Sequence, residues 1–399
     1  MTSTSEQIRA WRGPAVLTFG FRPFFLGAAL WAVAAMVLWV LTLTGNITLP
    51  SRFDPASWHA HELLFGYLIA PISGFLLTAV PNWTGRLPIV GWPLGGLFSL
   101  WILGRFAVLF SIHLSPVVVA IADVALPVAL LAVLGREIVT GRNWRNLIVL
   151  AMLAVFALGN AVFHVEAARG HYAAEGYGLR IGLGAAIMMI AVIGGRIIPS
   201  FTRNWLVGRR IKNLPTPPMQ DFDRLAILGL LLAIVTWIAQ PQSRLSAALM
   251  FVAGALHVAR LLRWSGHRTA REPLLWILHV GYACLPLGAW TIAIEILRPD
   301  TIGTASALHF WLVGAIGLMT VAVMTRATLG HTGRRLTAGR GTLAIYIALL
   351  ISVVSRLAAG QWPEHAMNLY IVAGLTWIAA YSGFVLFYGP ALLQPRPAS

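Results

Sequence analysis

Charge is scarce in this 399-residue chain: Asp, Glu, Lys and Arg together make 11%, against about 25% in soluble globular proteins. With 58% of residues hydrophobic and a mean hydropathy of +0.78, a water-soluble fold is excluded. Cysteine is scarcer still. The single Cys284 rules out a disulfide framework, any CxxC metal or redox motif, and covalent haem attachment through CxxCH. It sits in the apolar run around Leu285 and reads as an inert buried thiol. Acidic residues number 13 against 29 Lys and Arg, a net charge of +16. On a soluble protein that surplus would suggest nucleic acid. Here the basic residues are strung between apolar runs and form no patches, so no nucleic-acid partner is expected. The segment 1–20 opens with Thr, Ser and Glu and lacks a basic stretch before a short apolar core. It reads as a short cytoplasmic segment, with no cleaved signal peptide.

What the chain does have is apolar runs of about 20 residues, enough to cross roughly 30 Å of hydrocarbon. They fall at 24–45, 60–80, 92–111, 114–134, 146–165, 181–199, 225–240, 245–262, 273–296, 303–326, 342–359 and 368–389. Runs this long satisfy their backbone internally only as helices. The expected fold is therefore all-α, a polytopic bundle of about twelve transmembrane helices forming one integral-membrane domain over 1–399. Of the 29 basic residues, 18 fall in the loops on the side of the N-terminus and 5 in the opposite loops, which predicts both termini in the cytoplasm. The even alternation of that asymmetry also supports the number of spans. No loop is long enough for a soluble domain, and no internal repeat stands out.

Ionisable groups inside spans are costly and default to a functional or ion-pair role. Arg105, Arg196, Arg260, Arg326, Arg356, Asp123, Glu62 and Glu295 lie in or at the ends of spans. Arg196, Arg260 and Arg326 are placed to snorkel toward the cytoplasm. Glu62, Asp123 and Glu295 are the carboxylates available to carry protons. Of the 11 histidines, His59, His61, His164, His257, His279 and His309 lie in or beside spans and His331 just beyond one. Neutral imidazole suits haem iron and copper. None of these is spaced i, i+3 or i, i+4 from another, so a site has to be assembled from several helices. His59, His61, His164 and His309 share the outer leaflet, and His257, His279 and His331 the inner side. The two groups are roughly 10–20 Å apart along the membrane normal at 1.5 Å per residue. That depth sorting suggests two centres.

The stretches Gly20-Phe-Arg-Pro-Phe-Phe25, Trp58-His-Ala-His-Glu-Leu-Leu-Phe-Gly66, Gly74-Phe-Leu-Leu-Thr-Ala-Val-Pro-Asn-Trp-Thr-Gly85, His279-Val-Gly-Tyr-Ala-Cys-Leu-Pro-Leu-Gly288 and Met324-Thr-Arg-Ala-Thr-Leu-Gly-His-Thr-Gly-Arg334 resemble the NnrS family over nearly the whole chain. The resemblance implies a twelve-span bacterial inner-membrane protein linked to nitric oxide metabolism and nitrosative stress, containing haem and copper. The expected partners are nitric oxide, the lipid bilayer and an unidentified electron donor. A haem–copper oxidase is a poorer match, because the chain has no His-His dipeptide for a copper site.

With the missing attachment motif, the expected cofactor is b-type haem, one or two per chain, with copper as a further candidate. On the inner side, His279 or His257 is the expected axial ligand, with Arg260 or Arg326 near the propionates and His331 as a further metal-ligand candidate. The reactive centre is expected in the outer leaflet from His59, His61 and His309, with Glu62, three residues after His59, orienting that ring. His59 and Glu62 are the expected catalytic pair. Reduction of nitric oxide in the manner of a nitric oxide reductase is the leading reaction. A haem-based binder or sensor without turnover, and a transporter of a metal or metal–nitrosyl species, are the alternatives.

Overall fold

The computed structural model describes residues 11–86 and 88–395. Arg9 and Arg396, two of the arginines assigned to the cytoplasmic side, lie outside the described residues. The chain is 80% helical, and no strand occurs among the described residues. Among the described residues twelve helices are long and apolar enough to cross a membrane: α1 Phe21–Leu43, α2 Pro55–Thr84, α3 Trp92–Leu109, α4 Pro116–Thr140, α5 Trp144–Ala168, α6 Tyr177–Gly208, α7 Asp221–Ala239, α8 Arg244–Leu262, α9 Pro273–Leu297, α10 Thr304–His331, α11 Arg340–Gln361 and α12 Pro363–Leu393. Each expected span corresponds to one of them.

The helix ends follow local chemistry. Asp54 accepts from the Ser57 amide at 2.9 Å with Pro55 in the first turn. Ser243 accepts from the Ser246 amide at 3.1 Å, and Glu272 from the Leu274 amide at 3.2 Å before Pro273 opens α9. These side chains occupy amides that a helix start leaves without partners, and proline there gives up no helical bond. The expected break at His113–Pro116 is a short 3-10 turn, Ser111–His113, followed by Ser115 capping α4.

Three helices outrun the expected spans furthest, α2 with 30 residues, α6 with 32 and α12 with 31. Three helices, α2, α6 and α10, contain π-helical segments at Glu62–Tyr67, Ile190–Gly194 and Phe310–Gly317. They recur every fourth helix in chain order, a regularity that composition concealed. A π segment inserts an extra residue into a turn and is characteristic of functional positions.

The chain divides into two compact units. The first is Met1–Ala185 with Ala327–Arg335 and Tyr381–Ser399; the second is Ala186–Arg326 with Leu336–Ala380. In the first unit α2 is buried over 72% of its most apolar window and α4 over 33%, so α2 is an inner helix and α4 largely faces lipid. The end of α12 is held in this unit by Arg22, which is 2% exposed. Its guanidinium donates to the carbonyls of Leu392 at 2.9 Å and Gln394 at 2.6 Å. A cation on the last carbonyls of a helix also opposes the negative end of its dipole. Replacing Arg22 with Ala leaves those carbonyls without donors, at about 1.5–3 kcal/mol for bonds to a charged group. The expected outcome is a lower midpoint for thermal unfolding in detergent, with Arg22→Lys falling in between; an unchanged midpoint would remove the clasp from the stability of this unit.

Candidate metal centre

A buried polar cluster sits in the first unit where α2, α3, α4 and α5 meet. It begins at the junction of α2 with its π segment, which presents His61 and Glu62, both fully buried. Arg105 on α3 places one guanidinium nitrogen 2.5 Å from Glu62 Oε2 and another on Asp123 Oδ1 of α4. Only glycine allows this approach, since a Cβ on Gly66 would lie 1.9 Å from Arg105 Nη1. The Gly66 carbonyl, at the widened turn, accepts from Trp101 Nε1 at 2.8 Å.

His61 lies between acceptors on both sides. Its Nδ1 is 3.1 Å from Glu62 Oε1, and its Nε2 is 3.0 Å from Asn160 Oδ1 and 3.1 Å from Asp123 Oδ2. With acceptors at both nitrogens the ring carries both protons and a positive charge. Two carboxylates, Glu62 and Asp123, then balance two cations, Arg105 and His61. A dry cluster has to be close to neutral, because an unpaired charge away from water is costly.

Asp123 is the hub. Its Oδ2 accepts from Asn160 Nδ2 at 2.7 Å and His164 Nε2 at 3.0 Å as well as from His61. Asn160 and His164 are four residues apart on α5 and share its face toward Asp123. One ligand atom each from His61, Asp123 and His164 lie within 4.8 Å of one another, all buried. Two imidazoles and a carboxylate are a donor set for iron, and imidazole also suits copper. The residues fit a single ion. They do not fit a macrocycle on His61, because both its nitrogens are engaged and the rings of Phe53, Phe65 and Phe163 surround it at 5.3–5.5 Å.

The remaining expected site residues fall as follows. His59 stacks on Trp39 at 4.3 Å, on the side of α2 away from His61. Glu62 contacts His61 and Arg105: at the α-to-π junction the carboxylate meets the adjacent ring. His309 belongs to the second unit and its Nδ1 donates to the Ala305 carbonyl of its own helix. His331 belongs to the first unit, with its ring 5.4 Å from Phe21.

In the second unit, His257 is fully buried with Nδ1 at 2.7 Å from the Tyr282 hydroxyl and Nε2 at 3.1 Å from the Ala226 carbonyl. Arg260 does not snorkel. It is fully buried, bonded to Asp223 Oδ1 at 2.7 Å, the Ala191 carbonyl at 2.8 Å and the Tyr282 hydroxyl at 2.8 Å. His279 donates Nδ1–H to the Leu275 carbonyl at 3.1 Å, leaving Nε2 with Thr202 Oγ1 at 3.5 Å. Arg326 lies over the Phe201 ring at 4.2 Å. Glu295 is not a free proton carrier, because its carboxylate accepts from the amides of Asp300, Ile302 and Gly303 at 2.9–3.1 Å.

Asn160 and the pairing of His164 with Asp123 escaped the sequence reading. Their one signal was the i, i+4 spacing of two polar residues on an otherwise apolar helix.

The NnrS protein family profile matches residues 15–396. No curated protein matches the chain. The chain belongs to the NnrS family, and its twelve apolar helices make it a multi-pass membrane protein in a lipid bilayer.

Removing one member of a buried, balanced pair leaves the other charge exposed to hydrocarbon, at about 3–5 kcal/mol. Asp123→Asn is therefore expected to destabilise the protein in detergent more than Asn160→Ala, which removes only neutral hydrogen bonds of about 1 kcal/mol each. Unfolding followed by tryptophan fluorescence checks the order, and the reverse order would contradict the role of Asp123 as hub.

Proposed function

For a chain of the NnrS family, we propose a membrane protein that binds nitric oxide at a metal centre and reduces or otherwise detoxifies it. The metal is one first-row ion, iron or copper, held by His61, His164 and Asp123. The observation that carries this reading is the buried convergence of two imidazoles and a carboxylate, with His61 steadied by Glu62 and Asp123 by Arg105 and Asn160. When bound, such an ion supplies an open coordination position and one-electron chemistry.

The protein's own groups do the rest. Glu62 fixes the His61 ring through Nδ1, which sets its orientation and raises the basicity of Nε2. Arg105 holds Oδ1 of Asp123 and leaves Oδ2 facing the two histidines. Asn160 Oδ1, 3.0 Å from His61 Nε2, offers a fourth donor atom. Phe53, Phe65 and Phe163 keep water from the rings, while a small uncharged diatomic reaches the site through lipid. Glu62, hydrogen-bonded to a ligand ring, is the group placed to hold a proton for the reaction. An ion held there would need His61 as a neutral ligand, with one proton given up, and the His164 proton on Nδ1. One proton leaves per ion bound.

A non-covalent b-type haem belongs to the same reading, and the second unit offers its ligand. His279 bonds the Leu275 carbonyl through Nδ1 and also the Trp264 carbonyl, so its Nε2 would serve iron only once the Trp264 contact is given up. His257 has neither nitrogen to spare. Arg326 is the guanidinium suited to a haem propionate, and the His309 tautomer allows it a ligand role in that unit as well.

Purified protein is expected to hold about one equivalent of iron or copper, to release about one proton per ion on loading, and to give a nitrosyl electron paramagnetic resonance signal under anaerobic nitric oxide. His61→Ala, His164→Ala and Asp123→Ala should each lower metal affinity by at least about 10–100-fold, and His279→Ala should remove the Soret band. Unchanged metal content and nitrosyl signal in all three first-unit variants would sink the centre. Multiple turnovers to nitrous oxide with supplied electrons support a reductase, and one stoichiometric adduct supports a binder.

A further inference from the structure

Among the described arginines inside the second unit, not every one has a counter-charge. Arg260 has Asp223. Arg356, five residues before the end of α11, has neutral contacts: its Nη1 donates to Ser306 Oγ at 3.2 Å, and its guanidinium lies 4.6 Å over the Tyr370 ring. Glu295 of the same unit is committed to loop amides. Among the described residues no carboxylate lies within ion-pair distance of Arg356. An arginine in a membrane span is normally paired, and this one calls for an anion.

Its surroundings are fixed. Ser306 is 3% exposed. It is held close beneath α11 because Gly360 has no Cβ, which would otherwise lie 2.4 Å from Ser306 Oγ and 2.3 Å from the Ile302 carbonyl. Accepting from Arg356, the Ser306 hydroxyl keeps its own proton to donate. The guanidinium fork matches two oxygens of a phosphate or carboxylate.

We infer that Arg356, Ser306 and Tyr370 form a binding site for a phosphate-type oxyanion, the phosphodiester of a membrane lipid headgroup. Five residues of helix correspond to about 7.5 Å, within the reach of a snorkelling arginine toward the headgroup layer. Trp362, 54% exposed just past α11, and Tyr370 are residue types that mark that layer. The site stands apart from the metal centre proposed above and does not depend on it.

Full-length protein, delipidated in detergent, would be titrated with dihexanoyl phosphatidylglycerol and separately with inorganic phosphate by calorimetry. Native mass spectrometry before delipidation would count retained phospholipid. Wild type is expected to bind the short-chain lipid, with binding weakened at least about tenfold in Arg356→Gln and less in Arg356→Lys, which keeps charge without the fork. Arginine-dependent binding of the lipid alone assigns a lipid site; arginine-dependent binding of inorganic phosphate as well assigns recognition to the oxyanion itself. Should Arg356→Gln fail to fold, Arg356→Lys and Ser306→Ala are read the same way. Failure of wild type to bind either probe, or equal binding by wild type and the variants, overturns the site.

Discussion

A guanidinium inside hydrocarbon cannot stand alone, and in the first unit the packing of four helices is arranged around one. Arg105 reaches from α3 to Glu62 on α2 and Asp123 on α4, and Asp123 gathers Asn160 and His164 from α5. The sum of charges closes only because His61 is doubly protonated between acceptors. That balance constrains the shape: moving any one helix out of register would separate a charge from its partner in a medium that cannot solvate it. The stabilising network and the candidate metal ligands are therefore the same atoms.

The second unit uses a related device to a different end. Arg260 joins Asp223 on α7, the Ala191 carbonyl in the π segment of α6, and Tyr282 on α9. It also lies against a glycine, since a Cβ on Gly195 would be 2.1 Å from its Nη2. In both units a buried arginine packs on a glycine in or beside a π segment; Arg260 also takes a carbonyl of that segment, while the Gly66 carbonyl goes to Trp101. The histidines make the difference. His61 and His164 turn to a shared carboxylate, while His257 spends both nitrogens on a hydroxyl and a carbonyl. The first set converges on one carboxylate, and in the second each imidazole nitrogen has its own neutral partner.

Local chemistry at the helix ends shows why so much of the membrane architecture could be read directly. Asp54, Ser243 and Glu272 each cap the helix that follows, and proline sits in the first turn of α2, α4 and α9. The marginal break between α3 and α4 is made by such signals, Ser115 followed by Pro116. The site was legible only in its vocabulary. Glu62, Arg105, Asp123 and the span histidines stood out because each is expensive in lipid. Asn160 did not stand out, because a neutral amide in a helix carries no such cost signal.

The sequence by itself determined the membrane class, the twelve spans and the family, because each depends on run length, composition and short motifs that need no knowledge of neighbours. Only the tertiary structure decided which costly residues meet. Glu62 faces His61 because α2 passes into a π turn between them; Asp123 binds His164, and Arg260 is buried with Asp223 where a snorkelling path was expected. Those pairings depend on helix rotation and inter-helix register. A helix apolar on every face leaves both undefined until the buried charges find one another.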